Sequence, residues 1–186
     1  MVHPSKREHI VRTAYEVFAR QGFHATSMDT IISIAKVSRR TMYNHFPSKA
    51  SLIVEALSYY KERYEIALQS VLHRKGNITP IEKLRTVLEL FVAGPENKNI
   101  AHGCLAVHAM MEYLETEKSI LKACLEFKDW QISILENYVK EANILDSKAV
   151  VHDLFIILEG LSVVSERPHF QTNSENLFDK ILQANT

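Results

Sequence analysis

The 186-residue chain has no excess of charge, little cysteine and no long apolar run, and each shortage removes a class of protein. Lysine plus arginine and aspartate plus glutamate both number 22, so no global charge draws the chain to nucleic acid. Only Cys104 and Cys124 are present and no secretory segment opens the sequence, which points to a reduced, cytoplasmic protein. The longest helical apolar run is broken by Glu159, short of the 18 or more residues a membrane span requires. No stretch alternates polar and apolar residues long enough for a strand, and no nucleotide loop, zinc spacing or catalytic triad stands out. His102 and His108 are six apart and do not share a helical face, so a metal pair would need ligands from other helices; no metal, cofactor or catalytic residue is expected.

What is present is a dense run of helix punctuation between residues 26 and 49. Thr26 is placed to cap a helix, with Asp29 three residues on; Met28, Ile31, Ile32 and Ala35 then repeat at helical spacing. Lys36, Val37 and Ser38 make a turn, and Ser38 caps a second short helix in which Met42 and Phe46 face inward. Arg39, Arg40, Thr41, Tyr43, Asn44 and His45 face outward, and Pro47 stops the helix. Two short helices about a three-residue turn, the second rich in exposed donors, form a helix-turn-helix able to enter a DNA major groove.

Flanking helices complete the unit. Ser5 with Glu8 reads as a capping box for a helix to residue 21, with Ile10, Ala14, Val17 and Phe18 as its buried stripe and Gly22 as its end. Ser48 caps a fourth helix carrying Leu52, Ile53, Ala56, Leu57 and Tyr60 inward, with Lys49 in its first turn beside the free amides that suit a phosphate. Residues 1–60 hold eight basic against four acidic side chains, and the remainder 14 against 18, so a local basic face sits on a neutral chain.

The run Thr-Ser-Met-Asp-x-Ile-x-x-x-Ala-x-Val-Ser-x-x-Thr-Met-Tyr-x-His-Phe-x-Ser-Lys-x-x-Leu, preceded by Phe-Ala-Arg-Gln-Gly-Phe, resembles the DNA-binding domain of TetR-type transcriptional regulators. The resemblance covers about the first 55 residues. It implies that Thr26 and Ser27 hold phosphate, that Ser38, Arg39, Arg40 and Thr41 look into the groove, that Tyr43, Asn44 and His45 share base and backbone contacts, and that Lys49 takes a phosphate. Two positions depart from the family pattern: Lys36 stands where glycine is usual, and Arg40 where a small residue is usual. A lysine at 36 would adopt a left-handed conformation at a cost of about 1 kcal/mol.

The remaining chain reads as helices at about 49–75, 79–93, 103–114, 117–143, 147–166 and 173–184, with a loop at 94–102. The expected fold is therefore all-α: a helix-turn-helix domain at 1–48 and a larger helical ligand-binding and dimerisation domain at 49–186. The helix at 147–166 is apolar around much of its circumference, which suits a homodimer. With the last helix, and by the same resemblance, the interface would draw on Val151, Leu154, Phe155, Leu158, Gly160, Leu161, Leu177 and Ile181. Dimerisation places two recognition helices about 34–36 Å apart, or a multiple of that, and so demands a palindromic operator on double-stranded DNA.

The run His102-Gly-Cys104-Leu-Ala-Val-His108-Ala-Met-Met111-Glu-Tyr concentrates soft and titratable residues suited to a ligand pocket. His102, Cys104, His108 and Met111, with Phe91, Phe127, Trp130 and Phe155, are the expected walls of an inducer cavity. The rival reading is a thiol enzyme or small-molecule carrier built on Cys104, His102 and His108, which leaves residues 26–49 without a purpose.

Overall fold

The computed structural model describes residues 5–95, 104–164 and 178–182. Its helices are α1 (Lys6–Gln21), α2 (Met28–Ala35), α3 (Arg39–His45), α4 (Lys49–Lys75), α5 (Pro80–Ala93), α6 (Leu105–Tyr113), α7 (Lys118–Glu141) and α8 (Ser147–Val164), with helical residues again at 178–182. The fold is all-α, and no strand occurs among the described residues. The chain divides into two compact units: Met1–Glu62 with Ile100–Phe127, and Arg63–Asn99 with Lys128–Thr186.

In the first unit, side-chain caps set the helix boundaries. Ser5 and Glu8 form the reciprocal capping box of α1, and Gly22 ends that helix at φ +81°. Ser27, not Thr26, caps α2, its hydroxyl accepting from the Thr30 amide at 3.0 Å. Ser38 does the same for the Thr41 amide, and Ser48 for the Ser51 amide at the head of α4. Lys36 is left-handed, φ 53° and ψ 42°, the conformation that the sequence context requires of it. Ile10, Ala14, Val17, Phe18, Phe23, Ile31, Met42, Phe46, Leu52, Ile53 and Tyr60 are buried together as the core. Phe18 lies 4.9 Å from Phe23, and Tyr60 lies 5.2 Å from Phe127. Each fully buried side chain of this size contributes roughly 1.5–3 kcal/mol through lost apolar exposure.

The second unit is held by burial across helices distant in sequence. Thr79 and Glu82 form a capping box with Pro80 in the first turn of α5. Leu84, Val87 and Leu88 of α5 are buried, and α5 packs on α8. Tyr64, Phe91 and Trp130 meet edge to face or tilted, with Phe91 5.6 Å from Tyr64 and 5.7 Å from Trp130. Val150, Val151, Leu154 and Leu158 of α8 are buried, as are Phe178 and Leu182. Lys128, buried on α7, donates to Glu159 of α8 at 2.6 Å, and Arg85 of α5 pairs with Asp179. The junction between α7 and α8 turns through Asn143 and Asp146, both at positive φ, where these two residue types are most at ease.

Burial on α8 corrects part of the expected dimer surface. Val151, Leu154 and Leu158 lie inside the chain itself, because α8 presents that stripe to its own neighbours. Its outward apolar residues are Ile156, 54% exposed, with Phe155, Ile157 and Leu161 half-buried and Gly160 exposed. Ile181 is half-buried; Leu177 lies outside the described residues.

Candidate nucleic-acid interface

The α2–turn–α3 segment rests on a few well-placed contacts. α1 packs against α2 and α2 against α3. His9 of α1 donates from Nε2 to the Ala35 carbonyl at 3.0 Å, satisfying an orphan acceptor at the C-terminus of α2. The left-handed Lys36 then lets its own amide and that of Val37 return to carbonyls of α2, on Ser33 and Ile32. Met42 and the capping residue Phe46 anchor α3 in the core, and the Arg7 guanidinium sits 5.2 Å over the Phe46 ring while pairing with Glu55 at 2.7 Å.

This anchoring leaves a continuous polar face. Ser38, Arg39, Arg40, Tyr43, Asn44 and His45 are exposed, and Thr41 is half-buried with its hydroxyl 2.9 Å from that of Ser38. Arg39 pairs with Asp29 at 2.8 Å across the two helices. Both partners stand in solvent, so the pair holds the guanidinium only weakly and can exchange for a phosphate or a base edge. Lys49 is half-buried at the start of α4; burial lowers its ammonium pKa from the ordinary value, and the Glu112 carboxylate partly offsets this.

Two adjacent hydroxyls of the expected site differ in exposure. Ser27 is exposed at the head of α2, in position to offer its hydroxyl. Thr26 is not: it is wholly buried, its hydroxyl donates to the Gly22 carbonyl at 2.7 Å and its amide to that of Phe23 at 3.2 Å, so neither group can reach a phosphate. Glu112, near the end of α6, was absent from the expected site and yet holds the loop that leads into α2. Its carboxylate accepts from the Phe23 amide at 3.0 Å and from the His24 amide, and its carbonyl accepts from His24 Nε2 at 2.9 Å. No local pattern signals a contact that spans 88 residues.

The expected ligand walls are distributed over both compact units. Phe91 and Trp130 pack with Tyr64 in the second unit, and Phe127 packs on Tyr60 in the first. Cys104 is buried at the N-cap position of α6 without a side-chain cap, and His108 is half-buried. Met111 is a correction: at 80% exposed it lines no interior wall, because it falls on the outward side of α6. His102 lies outside the described residues. A cleft of about 590 Å³ runs between α4 and α5 past Arg63, Ser70, Arg74, Thr86 and Glu89 and includes none of the expected walls. Phe155 borders a smaller groove of about 240 Å³ with Ile132, Glu136 and Lys148. No helix among the described residues is long and apolar enough to cross a membrane.

A polar recognition helix held at the end of a short left-handed turn defines a helix-turn-helix protein. Residues 10–56 match the family described as bacterial regulatory proteins, tetR family, so the chain carries a DNA-binding domain of that family. An uncharacterized HTH-type transcriptional regulator of Bacillus subtilis (strain 168), YuxN, is 36% identical over 162 residues, or 86% of this chain; the chain spans 53% of YuxN's length. A TetR transcriptional regulator from Legionella pneumophila has the same fold at TM-score 0.79 and 18% identity, covering 100% of both chains. A regulator from Saccharomonospora viridis, solved in complex with choline, superposes at TM-score 0.77 with 18% identity, covering 94% of this chain and 92% of that one.

Proposed function

We propose that the chain is a cytoplasmic, dimeric, sequence-specific transcriptional regulator, a repressor released from a palindromic operator by a small-molecule inducer. The observation that carries this reading is the face of α3: two side chains, Met42 and Phe46, anchor it, and its exposed residues are donors and acceptors. In this reading Ser38, Arg39, Arg40 and Thr41 look into the groove, with the arginines on base edges, Tyr43, Asn44 and His45 divide base and backbone contacts, and Ser27 and Lys49 hold phosphate. Residues 1–48 form the reader, and 49–186 carry the inducer site and the dimer contact.

The second copy sits against α8, where Ile156 is exposed and its flanking residues Phe155 and Ile157 are half-buried. The inducer acts by binding one spacing of the two readers more tightly than the other, since a ligand shifts an equilibrium only through differential affinity. A small organic molecule in the helical core is supported by the choline bound to the Saccharomonospora viridis relative in fold. The reading makes the chain a regulator and gives Cys104 and His108 no catalytic task.

Selection of bound duplexes from a random pool tests the proposal. The expected product is a palindrome with half-sites one helical turn or a multiple apart, retarded by the protein and released steeply as salt rises. Recovery of no preferred sequence at low salt would overturn it.

A further inference from the structure

We propose that Glu112 is a positioning residue of the DNA reader, a clamp by which the end of α6 fixes the α1–α2 loop and, through it, the stance of α2 and α3; the inference rests on the DNA-reading function proposed above. The loop has few means of holding itself. Phe23 is wholly buried, and its amide would lack a partner if the Glu112 Oε1 atom were not 3.0 Å away. The adjacent His24 amide takes the other carboxylate oxygen. Two oxygens on one carbon reach two consecutive amides at once, which an amide side chain with its single acceptor cannot do.

Three further contacts tighten the same junction. The His24 ring donates to the Glu112 carbonyl and stacks on Tyr113 at 4.6 Å and 23°. Phe23 meets the Tyr113 ring edge-on at 6.3 Å. At Gly22 a Cβ would stand 3.3 Å from Glu112 Oε1, on a backbone of φ +81° that side chains rarely adopt, so this position is shaped around the carboxylate as well as around the helix end. The loop so held runs straight into the reader. Thr26 bonds back to Gly22 and Phe23, and Ser27 caps α2. A displacement of α6 is thereby passed through the Glu112 carboxylate to the backbone amides of the loop, and from the loop to the reader.

The test uses the full chain and a duplex selected by the wild-type protein. Glu112→Gln, with Glu112→Ala as a second variant should either fold poorly, is compared with wild type by residue-resolved amide exchange and by operator affinity referred to the folded fraction. The expected result is exchange at Phe23 and His24 at least tenfold faster with Ile10 and Ala14 unchanged, and operator affinity at least tenfold weaker. Operator binding should slow exchange along α6 in wild type and leave α6 indifferent in the variant, while α3 is protected in both. Stability alone would not move that last readout. A variant that binds as wild type once corrected for folding, or an α6 whose exchange ignores the operator in wild type, overturns the clamp alone. A wild type that protects α3 with no duplex overturns the DNA-reading function and the clamp with it.

Discussion

Helices α3 and α8 turn very different faces to water. α3 buries Met42, leaves Thr41 half-buried and exposes its five other residues, all polar or charged at their tips. α8 buries Val150, Val151, Leu154 and Leu158, and still leaves Ile156 exposed beside half-buried Phe155, Ile157 and Leu161. The outer face of α3 is stable in water as it stands and complements a hydrated, charged partner. That of α8 keeps apolar surface in contact with solvent, a standing cost of roughly 25 cal/mol per Å² that only an apolar partner removes. In the proposed function these become two docking faces of opposite chemistry, and each can be altered without touching the other.

The largest effect is expected from the anchor of α3. Met42→Ala should lower stability by about 3 kcal/mol in denaturant unfolding, since the side chain is wholly buried and so short a helix has little else to compensate. A loss below about 1 kcal/mol would mean that α3 is held by its caps instead, and the contrast with α8 would weaken.

Next comes the outer face of α3. Replacing Arg39 and Arg40 together by alanine should reduce discrimination among operator variants by about 2 kcal/mol, read by competition binding, with stability changed by no more than roughly 0.5 kcal/mol. Both side chains are exposed, and Arg39 loses only a solvated pair with Asp29. An unchanged ranking of operators would remove the arginines from recognition. On α8 the matching change is Ile156→Lys, which should raise the dimer dissociation constant about tenfold, close to 1.4 kcal/mol, in sedimentation at several concentrations. Operator affinity would fall with the dimer, but the order of operator preference would not.

The same contrast explains which parts were legible from residues alone. Around the reader, helix ends are set by short-range chemistry: Ser5 with Glu8, Ser38 with the Thr41 amide, Gly22 and Lys36 at positive φ. Such signals act over three or four residues and can be read directly, and so can the inward side of α3. Thr26 and Ser27 show the limit, since adjacent hydroxyls both suit a cap and only the bond of Thr26 to the Gly22 carbonyl decides between them. For α6 and α8 the outcome depends on neighbours far along the chain. Periodicity shows α6 and α8 to be apolar on more than one side but not which side the chain covers, hence the exposure of Met111 on α6 and the burial of Leu154 and Leu158 on α8. Glu112 carries no local mark at all, because its partners at Phe23 and His24 become neighbours only after folding.

The smallest effect expected concerns Lys36, and it separates local strain from packing. Its φ of 53° and ψ of 42° place a Cβ in the left-handed region, where glycine is free of the steric conflict. Lys36→Gly removes that strain, about 1 kcal/mol, but also gives the unfolded chain more freedom, which offsets roughly half of the gain. The net result should be a stabilisation of about 0.5 kcal/mol, a rise of 1–2 °C, roughly, in the melting temperature of a chain this long. Lys36→Ala keeps a Cβ at the same backbone angles and should leave stability unchanged, so it serves as the control for loss of the exposed ammonium. If alanine stabilised as much as glycine, charge rather than backbone conformation would be the burden at this turn. If neither did, the return hydrogen bonds of the Lys36 and Val37 amides to α2 already balance the strain, and the lysine is retained at no cost to the reader.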